Sequence, residues 1–340
     1  MKKSLLIITT IVMVIACLSL AACSNIAMQS VLELPWDKYS EKSTYEVVGP
    51  DDQGVLGTLT VTYKRYVGED IDIAPIYVDN NIVKHNAIKP AYAEKNFHGL
   101  VVITNLALDD GQYKDSIVIV DKQSRAKYSY ANQHFKNIDD NTKFDDIESQ
   151  YDYTNINDKK AVTMKYDVKG NVVEKSGEVK LKPFDQIAYF DNTYYIAITR
   201  VLGPITAQRQ LSFLTHSFRE DKMLRRVAQA SGRPVEIEPS KSENNTIDIT
   251  KFELPKKPES ENKDEAKPEE PAEPKTTITC VATQIASAET MPGSGAPILY
   301  YVSAFPYKYD DTHTADKLLV KFVEHGITYN LIKTELVAEI

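Results

Sequence analysis

Serine occurs in two spacings that resemble those of hydrolytic enzymes. Ser124 and Lys127 have the Ser-x-x-Lys spacing, in which a neighbouring base activates a serine for acyl transfer. That chemistry also needs a Lys-Thr-Gly strand, and the sequence contains no Lys-Thr-Gly. Gly293-Ser294-Gly295 lacks the Gly-x-Ser-x-Gly spacing of a nucleophile elbow. We therefore interpret both segments as turns or connections, not as acyl-transfer sites.

The side chains that bind metals are dispersed along the chain. The six histidines include no His-x-His or His-x-x-x-His pair, and Cys280 alone cannot build a zinc site. Segment 310–316, with three aspartates and His313, could bind a hard cation. It lacks the glycine and the terminal glutamate of an EF-hand, so a solvated loop is predicted. Since no glycine-rich phosphate loop is present either, we expect no metal and no cofactor.

The densest aromatic cluster lies between residues 300 and 309. It could form a ligand-binding face for a glycan or a lipid at the mouth of a sheet. It could also pack within strands and leave a rim of exposed tyrosines, which is the commoner role of such clusters. The candidate ligand-binding residues are Tyr300, Tyr301, Phe305, Tyr307 and Tyr309.

The first 23 residues have the layout of an export signal. Lys2 and Lys3 precede an apolar run that ends in small residues, and this run is shorter than a membrane span requires. Leu20-Ala21-Ala22-Cys23 resembles the bacterial lipobox, in which the cysteine is diacylated and becomes the first mature residue. Two acyl chains such as palmitate anchor a protein stably, whereas one does not. The expected product is a lipoprotein held by Cys23 on the outer face of the cell membrane.

The net charge and the cysteine content restrict the classes of partner and the ways in which the fold can be stabilised. The chain carries a net charge of −8, and cleavage before Cys23 makes it two units more negative by removing Lys2 and Lys3. Without a basic stripe, nucleic-acid binding is excluded. Cys17 leaves with the signal and Cys23 is lipidated, so Cys280 has no partner for an internal disulfide. The fold must depend on its apolar core, for which the chain is long enough.

The polar–apolar pattern is typical of antiparallel strands. From Val55 to Lys64, apolar and threonine or lysine residues alternate with a period of two. Residues 131–160 are polar and poorly patterned, which predicts a long loop, and Asp191 to Leu202 is the best helix candidate. Further strands are predicted at 44–48, 71–78, 100–108, 116–121, 162–168, 172–181 and 209–218, while 220–231 fits either a strand or a helix.

The predicted organisation is a signal peptide (1–22), a lipidated tether (23–43) and one β-rich domain (44–340). Residues 238–276 are rich in proline, glutamate and lysine, so they are predicted to be a disordered insertion. Four strand-like runs follow the insertion, at 277–287, 298–304, 318–324 and 327–336. We expect them to complete the preceding sheet, although a separate second domain remains the alternative.

Three segments resemble the DUF3108-like family of exported, mainly-β bacterial proteins. The first runs from Tyr45 to Val61, the second joins Phe190-Asp191-Asn192 to Arg200, and the third runs from Gly295 to Leu336. The chain departs from the family at Thr193-Tyr194-Tyr195 and in its acidic insertion. The resemblance implies a curled antiparallel sheet or half-open barrel around one or two short helices. It implies no reaction.

The sequence thus favours a non-enzymatic envelope lipoprotein. Its curled sheet would bind a lipophilic ligand, an envelope polymer or a protein partner. The alternative is an envelope hydrolase acting on glycan or peptidoglycan through an unrecognised carboxylate pair, because the separation of such a pair is spatial. A solute-binding lipoprotein would need two α/β lobes, which the pattern does not contain.

Overall fold

The structure is a computed structural model. It describes residues 38–50, 53–72, 93–121, 126–137, 140, 142–152, 162–168, 171–177, 188–189, 195–202, 210–217, 222–253, 276–287 and 297–338.

Seventeen strands and one α-helix are defined within this part of the chain. The first eight strands are β1 (Tyr39–Val48), β2 (Val55–Asp72), β3 (Ala93–Leu108), β4 (Tyr113–Asp121), β5 (Ala126–Lys136), β6 (Phe144–Asp152), β7 (Val162–Val168) and β8 (Asn171–Gly177). The others are β9 (Ala188–Tyr189), β10 (Gln210–Ser217), β11 (Lys222–Ile237), β12 (Ile278–Ser287), β13 (Ile298–Ser303), β14 (Tyr307–Lys308), β15 (Thr314–Ala315), β16 (Leu319–Glu324) and β17 (Ile327–Ala338). The helix α1 is Tyr195–Leu202, and Ile249–Lys251 forms a 3₁₀ turn.

Fifteen of the strands form one sheet, in the order β8-β7-β6-β5-β4-β3-β2-β1-β17-β16-β13-β12-β11-β10-β9. Neighbouring strands are antiparallel except β9 and β10, which are parallel. The last described strand, β17, pairs with the first, β1, in the middle of the sheet. The predicted fold class is confirmed: the protein is mainly β, with a large antiparallel sheet that is not closed into a barrel.

The predicted alternation places one row of side chains from each central strand in a common core. On β2, Leu59, Val61 and Tyr63 are buried, and on β1 their neighbours Tyr45 and Val47 are buried with them. Successive side chains of a strand point to opposite faces, so these residues share one face of the sheet. The same core includes Val302 and Tyr300 of β13, Phe322 of β16 and Ala197 of α1.

Gly57 allows β2 and β3 to approach closely. Its φ is +152°, and a Cβ at this position would lie 2.2 Å from the carbonyl oxygen of Ala107. Only glycine avoids that contact with the backbone of the neighbouring strand.

Two sequence interpretations differ from the structure in the first half of the chain. The predicted tether extends to residue 43, but β1 already begins at Tyr39 and its Glu41 is fully buried. Residues 131–160, predicted as a long loop, contain most of β5 and all of β6. Cross-strand packing stabilises these polar strands: His134 stacks between Tyr113 and Phe144, at ring-centroid distances of 5.2 and 4.4 Å.

In the first part of the predicted insertion 238–276, the structure differs from the prediction of disorder. Residues 238–253 pack against the sheet, and the Ser240 hydroxyl donates a hydrogen bond to the Glu46 carboxylate. The Thr246 backbone N–H donates to the carbonyl of Ile332 at 2.7 Å, and Phe252 is buried against Tyr307. A few apolar side chains within a polar segment provide this packing, which average composition does not reveal. Residues 254–275 lie outside the described residues.

Candidate functional site

A buried ion pair holds α1 inside the curve of the sheet. The Arg200 guanidinium donates to both Glu41 carboxylate oxygens, from Nη1 at 2.6 Å and from Nη2 at 3.1 Å. Its Nε donates to the Lys317 carbonyl at 2.7 Å. The Glu41 side chain is fully buried and that of Arg200 is 12% exposed. Three charge-assisted hydrogen bonds therefore join the helix to β1 and to the segment that precedes β16.

Tyrosine side chains enclose this ion pair. The guanidinium carbon lies 4.7 Å from the ring centroid of Tyr63, within the range of a cation–π contact. The Tyr45 hydroxyl donates to the Leu319 carbonyl at 3.0 Å, and the Tyr309 hydroxyl lies 2.7 Å from that of Thr334. The rings exclude water, which strengthens the attraction between the two charges.

Burial changes the pKa values of these groups. Burial raises the pKa of the hydroxyls of Tyr45, Tyr63 and Tyr309 because a phenolate would lose its hydration. Burial alone would lower the pKa of the Arg200 guanidinium, but the Glu41 carboxylate outweighs it and the pKa is raised. Arg200 therefore stays cationic, and we interpret the cluster as structural.

A cavity of about 500 Å³ lies beside α1 on the same face of the sheet. One wall consists of Leu59, Leu106 and Phe135 from β2, β3 and β5, and the opposite wall includes Ile285 and Ile298 from β12 and β13. The remaining lining residues are Thr104, Lys114, Ser116, Gln133, Tyr195, Ile196, Arg226, Ala286, Tyr300, Phe322, Glu324, His325 and Tyr329.

The cavity exists because the sheet is curled. β5 and β11 both line it, although they are nine strand positions apart in the sheet. Strands in a flat sheet are spaced about 4.8 Å apart, so these two would be separated by roughly 43 Å. The curl brings them to opposite sides of one cavity, and α1 contributes Tyr195 and Ile196 between them.

The five aromatic candidates do not form one binding face. Tyr300 is 2% exposed, stacks on Phe322 at 5.6 Å and is the only one of the five that lines the cavity. Tyr307 and Tyr309 lie 5.2 Å apart near the 3₁₀ turn. Tyr301 and Phe305 are partly exposed and line no part of the cavity. Packing within the fold therefore accounts for most of these aromatic side chains.

The acidic loop at 310–313 satisfies its own hydrogen bonds. The Asp310 carboxylate accepts from the backbone N–H groups of Thr312 and His313, at 2.7 and 2.9 Å, and lies 2.8 Å from His313 Nδ1. The Thr312 backbone bond, followed by the Thr312 and His313 side chains, lowers the pKa of this carboxyl group. Among the described residues, no three side chains of the metal-binding types form a group that could hold a metal ion.

Several functional candidates were not recognisable in the sequence. Glu41 lies in the segment predicted as a tether, and Arg226 lies in the segment that fitted either a strand or a helix. A signal for Arg226 is its spacing of two and four residues from the small buried residues Ala228 and Ala230 on β11, which places all three on one face of the strand. Cys23, the predicted lipidation site, and Ser124 and Ser294 lie outside the described residues.

We predict strong coupling between Arg200 and Glu41. Arg200→Met leaves a buried carboxylate unpaired, so the free energy of unfolding should fall by about 3–5 kcal/mol. Glu41→Leu combined with Arg200→Met removes both charges and should recover most of that loss. Urea denaturation of the single and double variants measures both quantities.

The matched control is Lys136→Met, which breaks the exposed ion pair between Lys136 and Asp110. The Lys136 Nζ lies 2.7 Å from the Asp110 carboxylate, and both side chains are 40% exposed. It should cost less than about 1 kcal/mol. Additive losses in the double variant would contradict the interpretation, as would equal losses for Arg200→Met and Lys136→Met.

Comparison with known proteins provides no family assignment. No protein-family model and no curated protein sequence matches the chain. A solved structure, the β-barrel-like protein of domain of unknown function DUF1849 from Brucella abortus, is 9% identical to it. The alignment covers 89% of this chain and 99% of that one, with a TM-score of 0.37. This similarity is too low to support a conclusion about function.

Proposed function

We propose that the chain is a membrane-anchored, extracytoplasmic lipoprotein that binds a lipophilic ligand on its curled sheet and catalyses no reaction. The observation that carries the binding proposal is the cavity of about 500 Å³ between β2–β5 and β11–β13. Small-molecule sites typically have volumes of roughly 300–1,000 Å³, with mostly apolar walls and a few polar groups. This lining combines polar side chains with an apolar part, formed by Leu59, Leu106, Phe135, Ile285 and Ile298, that an alkyl chain could contact.

The energetics favour an apolar occupant of some length. Each methylene group transferred from water into an apolar environment contributes about 0.8 kcal/mol. An alkyl chain would also make van der Waals contacts with the side chains that line the cavity. A ligand with an alkyl chain would therefore gain free energy from the apolar part of this cavity.

The alternative, an envelope hydrolase, needs two carboxyl groups that face one substrate. Among the described residues, Glu324 is the one carboxylate of the cavity lining. Its composition therefore supports binding rather than carboxylate-pair catalysis at this site. Binding of an envelope polymer or a protein partner would instead use the outer surface of the sheet.

The anchoring part of the proposal rests on the sequence from Met1 to Cys23. Among the described residues, no helix is long and apolar enough to cross a membrane. Acylation of Cys23 would place the cavity at a membrane surface, where lipophilic molecules are available.

Substitution of Cys23 tests the anchor. Cys23→Ser should abolish incorporation of labelled palmitate in bacterial cells, because serine cannot form the thioether of a lipoprotein. The control is Cys280→Ser, which changes the buried cysteine and should leave labelling intact. Equal labelling of the Cys23→Ser variant and the unchanged chain would refute lipidation at this position.

Filling the cavity tests ligand binding. Leu106→Trp should weaken binding of the fluorescent fatty acid cis-parinaric acid at least roughly tenfold, which corresponds to about 1.4 kcal/mol. Ala107→Trp is the control because residue 107 is exposed on the opposite face of the same strand. Titrations of both variants, with circular dichroism to verify folding, measure the effect. Equal affinities for the two variants would exclude the cavity as the binding site.

A further inference from the structure

Arg226 is a half-buried cation that lines the cavity, and none of the described residues is an acidic partner for it. Its Nε is shielded from water, and among the described residues nothing accepts a hydrogen bond from it. No described carboxylate lies within ion-pair distance of its guanidinium. Buried polar groups in folded proteins are nearly always hydrogen-bonded, so an unpaired one indicates a missing ligand, ion or water.

A second unpaired cation, Lys114, lines the same cavity. It lies on β4, three residues after the turn at Gly111, whereas Arg226 projects from β11 in the opposite wall. Within the described part of the chain, no carboxylate forms an ion pair with Lys114. Of the lining residues that the structure describes, only Glu324 is acidic. It lies beside His325, with 3.9 Å between Oε1 and Nε2.

This excess of positive charge contrasts with the rest of the protein. The whole chain carries a net charge of −8, so its overall field repels anions. An anion would therefore bind here through specific contacts with Arg226 and Lys114. The planar guanidinium can donate two parallel hydrogen bonds to a carboxylate or a phosphate.

The apolar part of the lining distinguishes an amphiphile from a small free anion. Leu59, Leu106, Ile285 and Ile298 would gain nothing from a hydrated inorganic ion. An alkyl chain against these residues and an anionic group on Arg226 satisfy both parts of the cavity.

We propose that the ligand of this cavity is an anionic amphiphile whose carboxylate or phosphate binds Arg226, with Lys114 as a second cationic contact. This inference rests on the proposed function and specifies the chemical class of its ligand. Glu324 would disfavour a second negative charge nearby, which favours a single anionic group.

The test compares probes that share one alkyl chain and differ in the headgroup. Four probes are titrated into the full-length chain: hexadecanoate, hexadecyl phosphate, hexadecanol and inorganic phosphate. The concentration of each amphiphilic probe is kept below the value at which it forms micelles. The variants are Arg226→Met and, as a matched control, Arg233→Met. Arg233 lies on the same strand but is exposed outside the cavity lining, so its substitution removes the same charge elsewhere. Lys114→Met is a second cavity variant.

We expect the unchanged chain to bind the two anionic amphiphiles at least roughly tenfold more tightly than hexadecanol, as a charge-assisted hydrogen bond would provide. Arg226→Met should remove this preference and leave hexadecanol binding within about twofold, while Arg233→Met should leave the preference unchanged. Lys114→Met should reduce the preference for anionic probes partly. Whichever of hexadecanoate and hexadecyl phosphate binds more tightly identifies the headgroup as a carboxylate or a phosphate.

Two results would overturn the inference while leaving the proposed function intact: hexadecanol binding as tightly as hexadecanoate, or a preference that survives Arg226→Met. Binding of inorganic phosphate as tight as that of hexadecyl phosphate would assign a free-anion site and also overturn it. Absence of binding by all three alkyl probes would instead refute the proposed function. Since Arg226→Met removes no ion pair among the described residues, the variant should fold, and thermal unfolding verifies this.

Discussion

The fold depends on keeping two opposite charges paired out of water. Glu41 lies on the first strand and Arg200 on the helix, and neither would tolerate burial alone. Their pairing determines where α1 sits, because the guanidinium also holds the Lys317 carbonyl before β16. The helix held in this way contributes Tyr195 and Ile196 to the lining of the cavity. A structural ion pair thus helps to position part of the site in which the proposed ligand binds.

The curl of the sheet explains why chemistry-bearing residues come together from distant parts of the sequence. Lys114 and Arg226 belong to strands eight positions apart in the sheet, yet they line one cavity. Both walls provide apolar side chains, and the wall that contains β11 also provides Arg226, whose Nε is buried. The arrangement resembles small-molecule sites in general, in which apolar walls give affinity and a few polar groups give orientation.

Period-two alternation was sufficient to predict the fold class and several strands, including β2 and β10, and the helix was placed within a few residues. It failed where polar side chains are buried. Asn132 and Ser149 are buried polar residues, so residues 131–136 and 144–152 resemble a loop in sequence although they belong to β5 and β6. Phe252 packs within a segment whose average composition indicates disorder. Glu41 and Arg226 could not be recognised because their roles depend on partners or vacant space that only the curled sheet defines. The aromatic cluster was conspicuous in sequence, but only Tyr300 reaches the cavity.

Hydrogen–deuterium exchange of the full-length chain, with and without hexadecanoate, tests the central claim most directly. The account predicts slower exchange in β3–β5, α1 and β11–β13, which surround the cavity, and no change in β14 and β15, which lie apart from its lining. Amide exchange reports local opening, so a ligand between the two walls should protect both together. Protection confined to one wall or to β14 and β15, or none at saturating hexadecanoate, would contradict the account.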